Sequence, residues 1–100
     1  MLVSKSKVIT ASGSIVGRSC TVSAVTAIPA GGDLIVKLRD GGASGTVRWE
    51  FEVDAAAGSE HCGFSPPLYF GTDLYIEIAG TVVNASVSVA LVEDQAATDI

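Results

Sequence analysis

The residues that could do chemistry are few, and the most suggestive of them stand together as Glu60-His61-Cys62. A histidine beside a thiol and a carboxylate is the composition of a cysteine nucleophile with its base, or of part of a metal site. Neighbouring residues of a strand point to opposite faces, however, and a Cys-His pair works only when both side chains converge. No CxxC or HxxxH stands elsewhere to complete a metal site. The sequence therefore predicts no catalytic residue, no metal site and no cofactor.

The remaining chemical patterns also favour ordinary structural roles. The carboxylates Asp40, Asp54, Asp73 and Glu77 are separated by predicted strands and turns and lack the paired arrangement that glycoside hydrolysis needs. The glycine-rich DGGASG at 40–45 opens the strand TVRWEFEV rather than a helix, so it predicts a hairpin loop and not a phosphate-binding loop. We therefore expect a protein that is not an enzyme.

Charge and hydropathy exclude two further classes of partner. The net charge is −5, all six Lys and Arg lie in residues 1–50, and residues 51–100 carry eight acidic residues and no basic one. No basic run could follow a phosphate backbone, so nucleic-acid binding is excluded. No apolar run reaches the roughly 18 residues that a membrane span needs. The first residues lack the apolar core of a secretory signal, which predicts a product made and kept in the cytoplasm or released by lysis.

The two cysteines, Cys20 and Cys62, stand far apart in the sequence. In a cytoplasmic product the favoured expectation is a pair of reduced, partly buried thiols. The alternative is one disulfide, which would stabilise a domain this small.

The elements that must position these residues follow from a hydrophobic period of two. Alternating apolar and polar residues predict half-buried antiparallel strands, and weaker β-branched segments precede them. The predicted strands cover residues 7–11, 13–16, 19–26, 34–39, 47–53, 74–79 and 85–92. Turn signals recur about every ten residues, which is typical of a sandwich or barrel. We predict one all-β domain over residues 1–100, a jelly-roll-like antiparallel β-sandwich of seven or eight strands, with an N-terminal arm at about 1–6 and a C-terminal tail at about 94–100.

The aromatic residues allow two interpretations. In the strand at 47–53 the alternation places Val47, Trp49 and Phe51 on one face, which predicts that Trp49 lies in the core. The stretch SPPLYF at 65–70 reads as a stiff, extended crossing that leads into the next strand. The alternative is a sugar-stacking platform formed by Tyr69 and Tyr75.

Several segments resemble the short all-β virion proteins of tailed bacteriophages. The matching pieces are Leu38-Arg39-Asp40-Gly41, the strand from Gly71 through Thr81, and the final strand around Ser86 to Val89. The similarity spans about residues 7–93. Proteins of this type are capsid decoration (cement) proteins or parts of head and tail fibres, commonly sandwich or jelly-roll folds that associate as trimers.

The resemblance implies a non-enzymatic protein that is made in the host cytoplasm and stabilises the capsid on the virion surface. Its partners would be the major capsid protein and further copies of itself, as a homotrimer. Basic residues near the amino end, Lys5, Lys7 and Arg18, are expected to contact an acidic shell. The loop residues Asp40, Gly41, Gly42 and Ser44 are expected to contact another subunit or to be displayed. The alternative is a fibre or tail-tip module that binds a host glycan through Tyr69 and Tyr75.

Overall fold

The computed structural model describes the backbone of residues 2–94 and the side chains of residues 8–56 and 58–92. Eight strands and one 3-10 turn, at Ala55–Ala57, make up this part of the chain. The strands are β1 (Leu2–Ile9), β2 (Gly13–Val16), β3 (Cys20–Ala30), β4 (Leu34–Asp40), β5 (Thr46–Val53), β6 (Glu60–Phe70), β7 (Leu74–Gly80) and β8 (Asn84–Asp94). The predicted all-β class is confirmed.

The strands form two four-stranded antiparallel sheets. Sheet A has the order β1-β8-β3-β6 and sheet B the order β2-β7-β4-β5. The pairs β1·β8, β2·β7, β3·β6 and β4·β5 are those of one long hairpin, and the pairs β3·β8 and β4·β7 roll that hairpin into two layers. This is jelly-roll topology, so the predicted jelly-roll-like sandwich is confirmed as well.

Alternation along the inner strands fills the space between the sheets with aliphatic side chains. Each large apolar side chain that leaves water in this way contributes about 1.5–3 kcal/mol before the entropy of ordering is subtracted. The core consists of Val16, Cys20, Val22, Val25, Ala27, Leu34, Val36, Leu38, Val53, Phe70, Leu74, Ile76, Ala85, Val87, Val89 and Leu91.

The stretch SPPLYF belongs to a strand of its own and does not merely lead into one. It forms the second half of β6, an edge strand of sheet A, where proline is tolerated because one side of the backbone needs no ladder hydrogen bond. Val22 pairs with Leu68, whereas Ala24, two positions on, pairs with Gly63. Residues 64–67, which include the cis Ser65-Pro66 bond, therefore bulge away from β3.

The prediction that Trp49 lies in the core is wrong. Trp49 pairs with Leu38, so its side chain is on the inner side of sheet B, but β5 is an edge strand and the indole is 40% exposed. A bulge at Arg48 also breaks the alternation, because the next pair joins Arg39 to Val47. Val47 therefore leaves the predicted face and is itself exposed.

Both ends of the described chain lie in sheet A. Residues 2–6, which the sequence analysis assigned to an arm, form the first part of β1, and Leu2 pairs with Asp94 of β8. The predicted tail from about residue 94 falls outside the described residues except for Asp94 itself.

Candidate interaction surfaces

The Glu60-His61-Cys62 triplet lies on edge strand β6, and its side chains separate as strand geometry requires. His61 faces outward, and its Nδ1 lies 2.7 Å from the Thr26 hydroxyl on neighbouring β3. Cys62 pairs with the fully buried Val25, which places it on the inner side of the sheet. The triplet therefore does not assemble a Cys-His nucleophile.

The two cysteines do not bridge each other. Cys20 lies on β3, and Cys62 lies on β6 opposite Val25 of β3. The two cysteines are therefore offset by five residue positions along the strand direction (25 − 20). Five strand positions correspond to about 16 Å, and a disulfide needs Cα atoms within roughly 7 Å. The disulfide alternative is wrong, in agreement with the reduced thiol at both positions.

The Cys62 thiol is half-buried beside the Trp49 indole. Burial and, second, the charge of Glu60 raise the pKa of Cys62, and a hydrogen bond with Trp49 offsets only part of that rise. The thiolate is the reactive form, so this thiol is held in its unreactive state at neutral pH.

We predict that Trp49→Ala makes Cys62 react about tenfold faster with a thiol reagent at neutral pH. Removing the indole exposes the thiol to water and reagent, and we expect this effect to be larger than the loss of the Trp49 hydrogen bond to the thiol. The rate is measured with a chromogenic disulfide on folded protein. Cys62→Ser in the same background identifies the reacting thiol, and an unchanged rate in Trp49→Ala would show that the indole does not protect it.

Three exposed carboxylates converge although the sequence keeps them apart. Side-chain oxygens of Asp33, Glu52 and Asp54 lie within 4.8 Å of one another, and Asp33 Oδ1 already accepts the Ala55 N–H at 2.9 Å. They come from the β3–β4 turn, β5 and the segment after β5, so only the fold brings them together. An exposed acidic cluster alone does not define a metal site, and we assign none.

Asp40 has a structural role that its place in a glycine-rich loop did not predict. Its carboxylate accepts the backbone N–H groups of Gly71 and Thr72 at 2.9 Å each and that of Asp73 at 3.3 Å. Burial alone would raise the pKa of Asp40, but these three amides and the charge of Arg48 lower it below its ordinary value. The end of β4 is thereby tied to the β6–β7 turn.

The rest of the predicted display loop connects β4 to β5. Gly41 and Gly42 have positive φ angles of 102° and 93°, which left-handed turns require, and the Gly45 N–H closes the turn on the Gly42 carbonyl. The Arg39 guanidinium donates to the Gly45 carbonyl. Gly41 and Ser44 are exposed, so the predicted hairpin loop is present with its tip facing outward.

The predicted shell-contact residues lie on the β1–β2 side of the sandwich. Lys5 and Lys7 pair with Leu91 and Val89 of β8, and their side chains lie outside the described residues. Arg18 is exposed in the turn after β2. The fold thus places all three near one pair of sheet edges.

The rings of Tyr69 and Tyr75 point away from each other. Tyr69 precedes the buried Phe70 and lies on the outer face of sheet A, 52% exposed. Tyr75 follows the buried Leu74 and lies half-buried on the outer face of sheet B. The two rings therefore do not form one flat platform.

The side of the sandwich between edge strands β5 and β6, opposite the β1–β2 side, is partly open. The Trp49 and Phe64 rings meet edge-to-face there with centroids 5.0 Å apart. Arg48 crosses from β5 to β6, where its Nη2 donates to the Tyr69 carbonyl at 3.1 Å. Trp, Tyr and Arg are the residues most enriched at interface hot spots. We call Arg48, Trp49 and Phe64 the aromatic strip.

The outer faces of the two sheets differ in charge. On sheet B, Lys37 lies 3.9 Å from both Glu50 and Glu77, and Arg39 donates to Glu77 at 2.9 Å. The outer face of sheet A has no Asp, Glu, Lys or Arg among its described side chains, and we call it the uncharged face. It consists of Val8, Thr21, Ala24, Thr26, Ile28, His61, Gly63, Tyr69, Ser86, Ser88, Ala90 and Val92.

Neither a pocket nor a membrane-spanning helix is found in the described part of the chain. Residues 2–94 form no cleft or cavity that would enclose a small molecule. None of their helical segments has the length and hydropathy needed to cross a bilayer.

Known proteins resemble this chain in their fold but not in their sequence. No protein family and no curated protein matches the sequence. One solved structure, from Bacillus endospore appendages described as a novel family of disulfide-linked pili, is similar with a TM-score of 0.63 and 14% identity, over 95% of this chain and 89% of that chain. A virus-like particle of the extra small virus of the giant freshwater prawn Macrobrachium rosenbergii gives a TM-score of 0.41 and 14% identity over 95% and 81%, too low to carry an argument. At 14% identity the first likeness shows a shared fold.

Proposed function

We propose that this chain is a structural protein without enzymatic activity that decorates and stabilises a bacteriophage capsid. One observation carries the proposal: the polar side chains that the sequence offered for chemistry make hydrogen bonds within the chain, whereas several aromatic and aliphatic side chains remain exposed. Asp40 holds a turn, Asp73 accepts the Ser14 hydroxyl at 2.7 Å, and His61 contacts Thr26. An exposed aromatic strip and an uncharged sheet face suit a subunit that works through contact with other proteins.

The fold likeness supports an assembling subunit. The Bacillus protein covers almost the same length with a similar fold, and its appendages are described as pili. A small jelly roll is therefore compatible with a repeating structural role. The phage resemblance in the sequence then adds the capsid as the setting, the major capsid protein as partner, the virion surface as location and a trimer as the oligomer.

We propose that association of this chain is non-covalent, unlike the disulfide linkage named for the Bacillus pili. Cys20 is fully buried in the core, and Cys62 is shielded by Trp49 with a raised pKa. Neither thiol is placed for exchange with another subunit. The same band on denaturing gels with and without reductant is the expected result.

Glycan binding is the alternative function, and the geometry gives it less support. Tyr69 and Tyr75 lie on opposite outer faces, so a saccharide could stack on only one of them. Glycan-array binding that Tyr75→Ala or Tyr69→Ala weakens would favour this receptor role over decoration.

The capsid role is tested on purified particles made with and without this protein. We expect particles that lack it to lose their shell at lower temperature or lower salt. Changing Lys5 and Lys7 together to Glu should reduce occupancy on the shell, because both lie on the side that we assign to an acidic partner. Unchanged occupancy would refute this contact, and unchanged particle stability would refute the capsid role.

A further inference from the structure

The uncharged face is the outer side of the four-stranded sheet A. It extends over four strands, whereas the outer face of sheet B is occupied by the ion pairs of Lys37 and Arg39 with Glu50 and Glu77. Charged groups lose their hydration when a partner covers them, and unpaired ones cost several kcal/mol. Sheet A can therefore be covered at a much lower desolvation cost than sheet B.

The relief of this face suits a second sheet. The strand register aligns Ala90, Ala24 and Gly63 in one row across β8, β3 and β6, and this row has no side chain larger than a methyl group. Larger side chains rise on either side of it: Val8 is 63% exposed and Tyr69 52% exposed. The face is thus a shallow trough with uncharged walls, one formed by Val8, Ser88, Thr26 and His61 and the other by Val92, Thr21 and Tyr69.

The area of the face meets the lower limit for a stable complex. Four strands span about 19 Å, and the 11-residue strands β3 and β8 extend about 33 Å, which gives roughly 600 Å². Two such faces in contact would bury about 1,200 Å² in total, and stable interfaces begin at about 1,200 Å².

We propose that the uncharged face binds the same face of a second copy of this chain. Self-pairing brings no like charges together, because the described side chains of the face include no acidic residue and no Lys or Arg. Val8 and Tyr69 at the walls of one copy can enter the alanine and glycine row of the other. Such a contact is isologous, and the two sheets pack face to face as they do in sandwich cores.

Twofold pairing makes a distinct prediction about oligomeric state. It yields dimers, or pairs of larger rings, and a trimer would need a different surface such as the sheet edges. The inference rests on the self-association included in the proposed function, but the two have separate readouts. Capsid stability tests the role on the particle, and the mass of the purified protein tests the face.

The experiment is sedimentation equilibrium of the full chain over a wide concentration range, with two matched variants. Ala90→Lys places a charge at the centre of the uncharged face, and Ala79→Lys places one at a half-buried, outward position on inner strand β7 of sheet B. We expect wild type and Ala79→Lys to pair, as a dimer of single chains or as a hexamer of two trimers. Ala90→Lys should raise the dissociation constant at least about a hundredfold, because a buried unpaired charge opposes the contact.

Thermal melting checks that each variant is folded, and Ser88→Lys replaces Ala90→Lys if the latter is not. The dimer should also resist added salt, since no charges join its two halves. A wild-type chain that stays monomeric throughout would overturn the proposal. So would a trimer that does not pair into hexamers, or a twofold pairing that a folded Ala90→Lys or Ser88→Lys variant retains or that rising salt dissolves.

Discussion

Replacing Asp40 by alanine should lower the free energy of unfolding by about 2–3 kcal/mol. The substitution removes one carboxylate that accepts three backbone N–H groups of the β6–β7 turn. Hydrogen bonds to a charged group contribute about 1.5–3 kcal/mol each, but this site is partly open to water, which replaces part of the loss. Asp40→Asn keeps an acceptor without the charge and should lose about half as much. Urea unfolding curves measure all three proteins.

The stabilisation by Asp40 should disappear in acid. Its pKa is lowered in the folded state, so the unfolded chain takes up the proton first as the pH falls. The contribution is therefore fully present above the ordinary Asp pKa of 3.8 and is lost as the pH falls through the lower folded pKa. The difference in stability between wild type and Asp40→Ala should narrow over that range.

Asp54 provides the control for both measurements. It precedes the 3-10 turn and makes no side-chain capping hydrogen bond, and it lies near two other carboxylates. Asp54→Ala should change stability by no more than a few tenths of a kcal/mol. If Asp40→Ala and Asp54→Ala were equally stable, Asp40 would not be holding the turn.

The strands that the sequence predicted well are those whose signal is local. The segments at 34–39, 74–79 and 85–92 have an aliphatic residue at every second position and became β4, β7 and β8, with bounds within a few residues. These strands are inner strands of their sheets, where one side chain in two is buried, so the period of two is complete. Together with turn signals about every ten residues, these strands led to the correct prediction of a jelly-roll-like sandwich.

Edge strands β2 and β5 were also bounded to within one residue, but two errors about side-chain or strand placement arose at edges. The prolines of β6 suggested a crossing because proline has no backbone N–H to pair with a neighbouring strand. An edge strand tolerates this loss, but the sequence does not show which strands lie at an edge. In β5, the bulge at Arg48 is a property of pairing with β4 and leaves no mark in the alternation of the sequence. Trp49 therefore looked like a core residue although the edge position of β5 leaves its indole 40% exposed.

The surfaces were less predictable than the fold, since they depend on contacts between distant segments. Asp40 looked like a loop residue because the backbone N–H groups that donate to its carboxylate, those of residues 71–73, lie more than 30 positions away in the sequence. The uncharged face draws on four strands from all parts of the chain. One signal was present in the sequence: the small residues Ser86, Ser88 and Ala90 alternate with core residues, and they lie on the inner strand β8 of that face.

Gly80→Ala should destabilise the protein by about 3–4 kcal/mol, for two additive reasons. Gly80 ends β7 with φ +98°, a region in which an L-residue is strained by about 1–2 kcal/mol. A Cβ atom there would also lie 2.5 Å from the Asp33 carbonyl oxygen and 3.2 Å from the Ile35 nitrogen. Both of these are backbone atoms of the β3–β4 turn and β4, so relief requires the strands to separate, at an overpacking cost of about 1–3 kcal/mol.

Gly58→Ala separates the two causes. Gly58 also has positive φ, +80°, but a Cβ atom there meets nothing within 4 Å, so only the backbone strain of about 1–2 kcal/mol applies. Thermal and urea unfolding of both variants should therefore rank Gly80→Ala well below Gly58→Ala in stability. Because the Gly80 contact joins the ends of β7 and β4, its loss should also weaken the nearby bond from the Asp33 N–H to the Thr81 hydroxyl, 3.0 Å long in the native fold. Faster amide exchange at Asp33 in Gly80→Ala than in Gly58→Ala would confirm this weakening. Equal losses of stability in the two variants would show that the close approach of Gly80 to the β3–β4 turn does not contribute to stability.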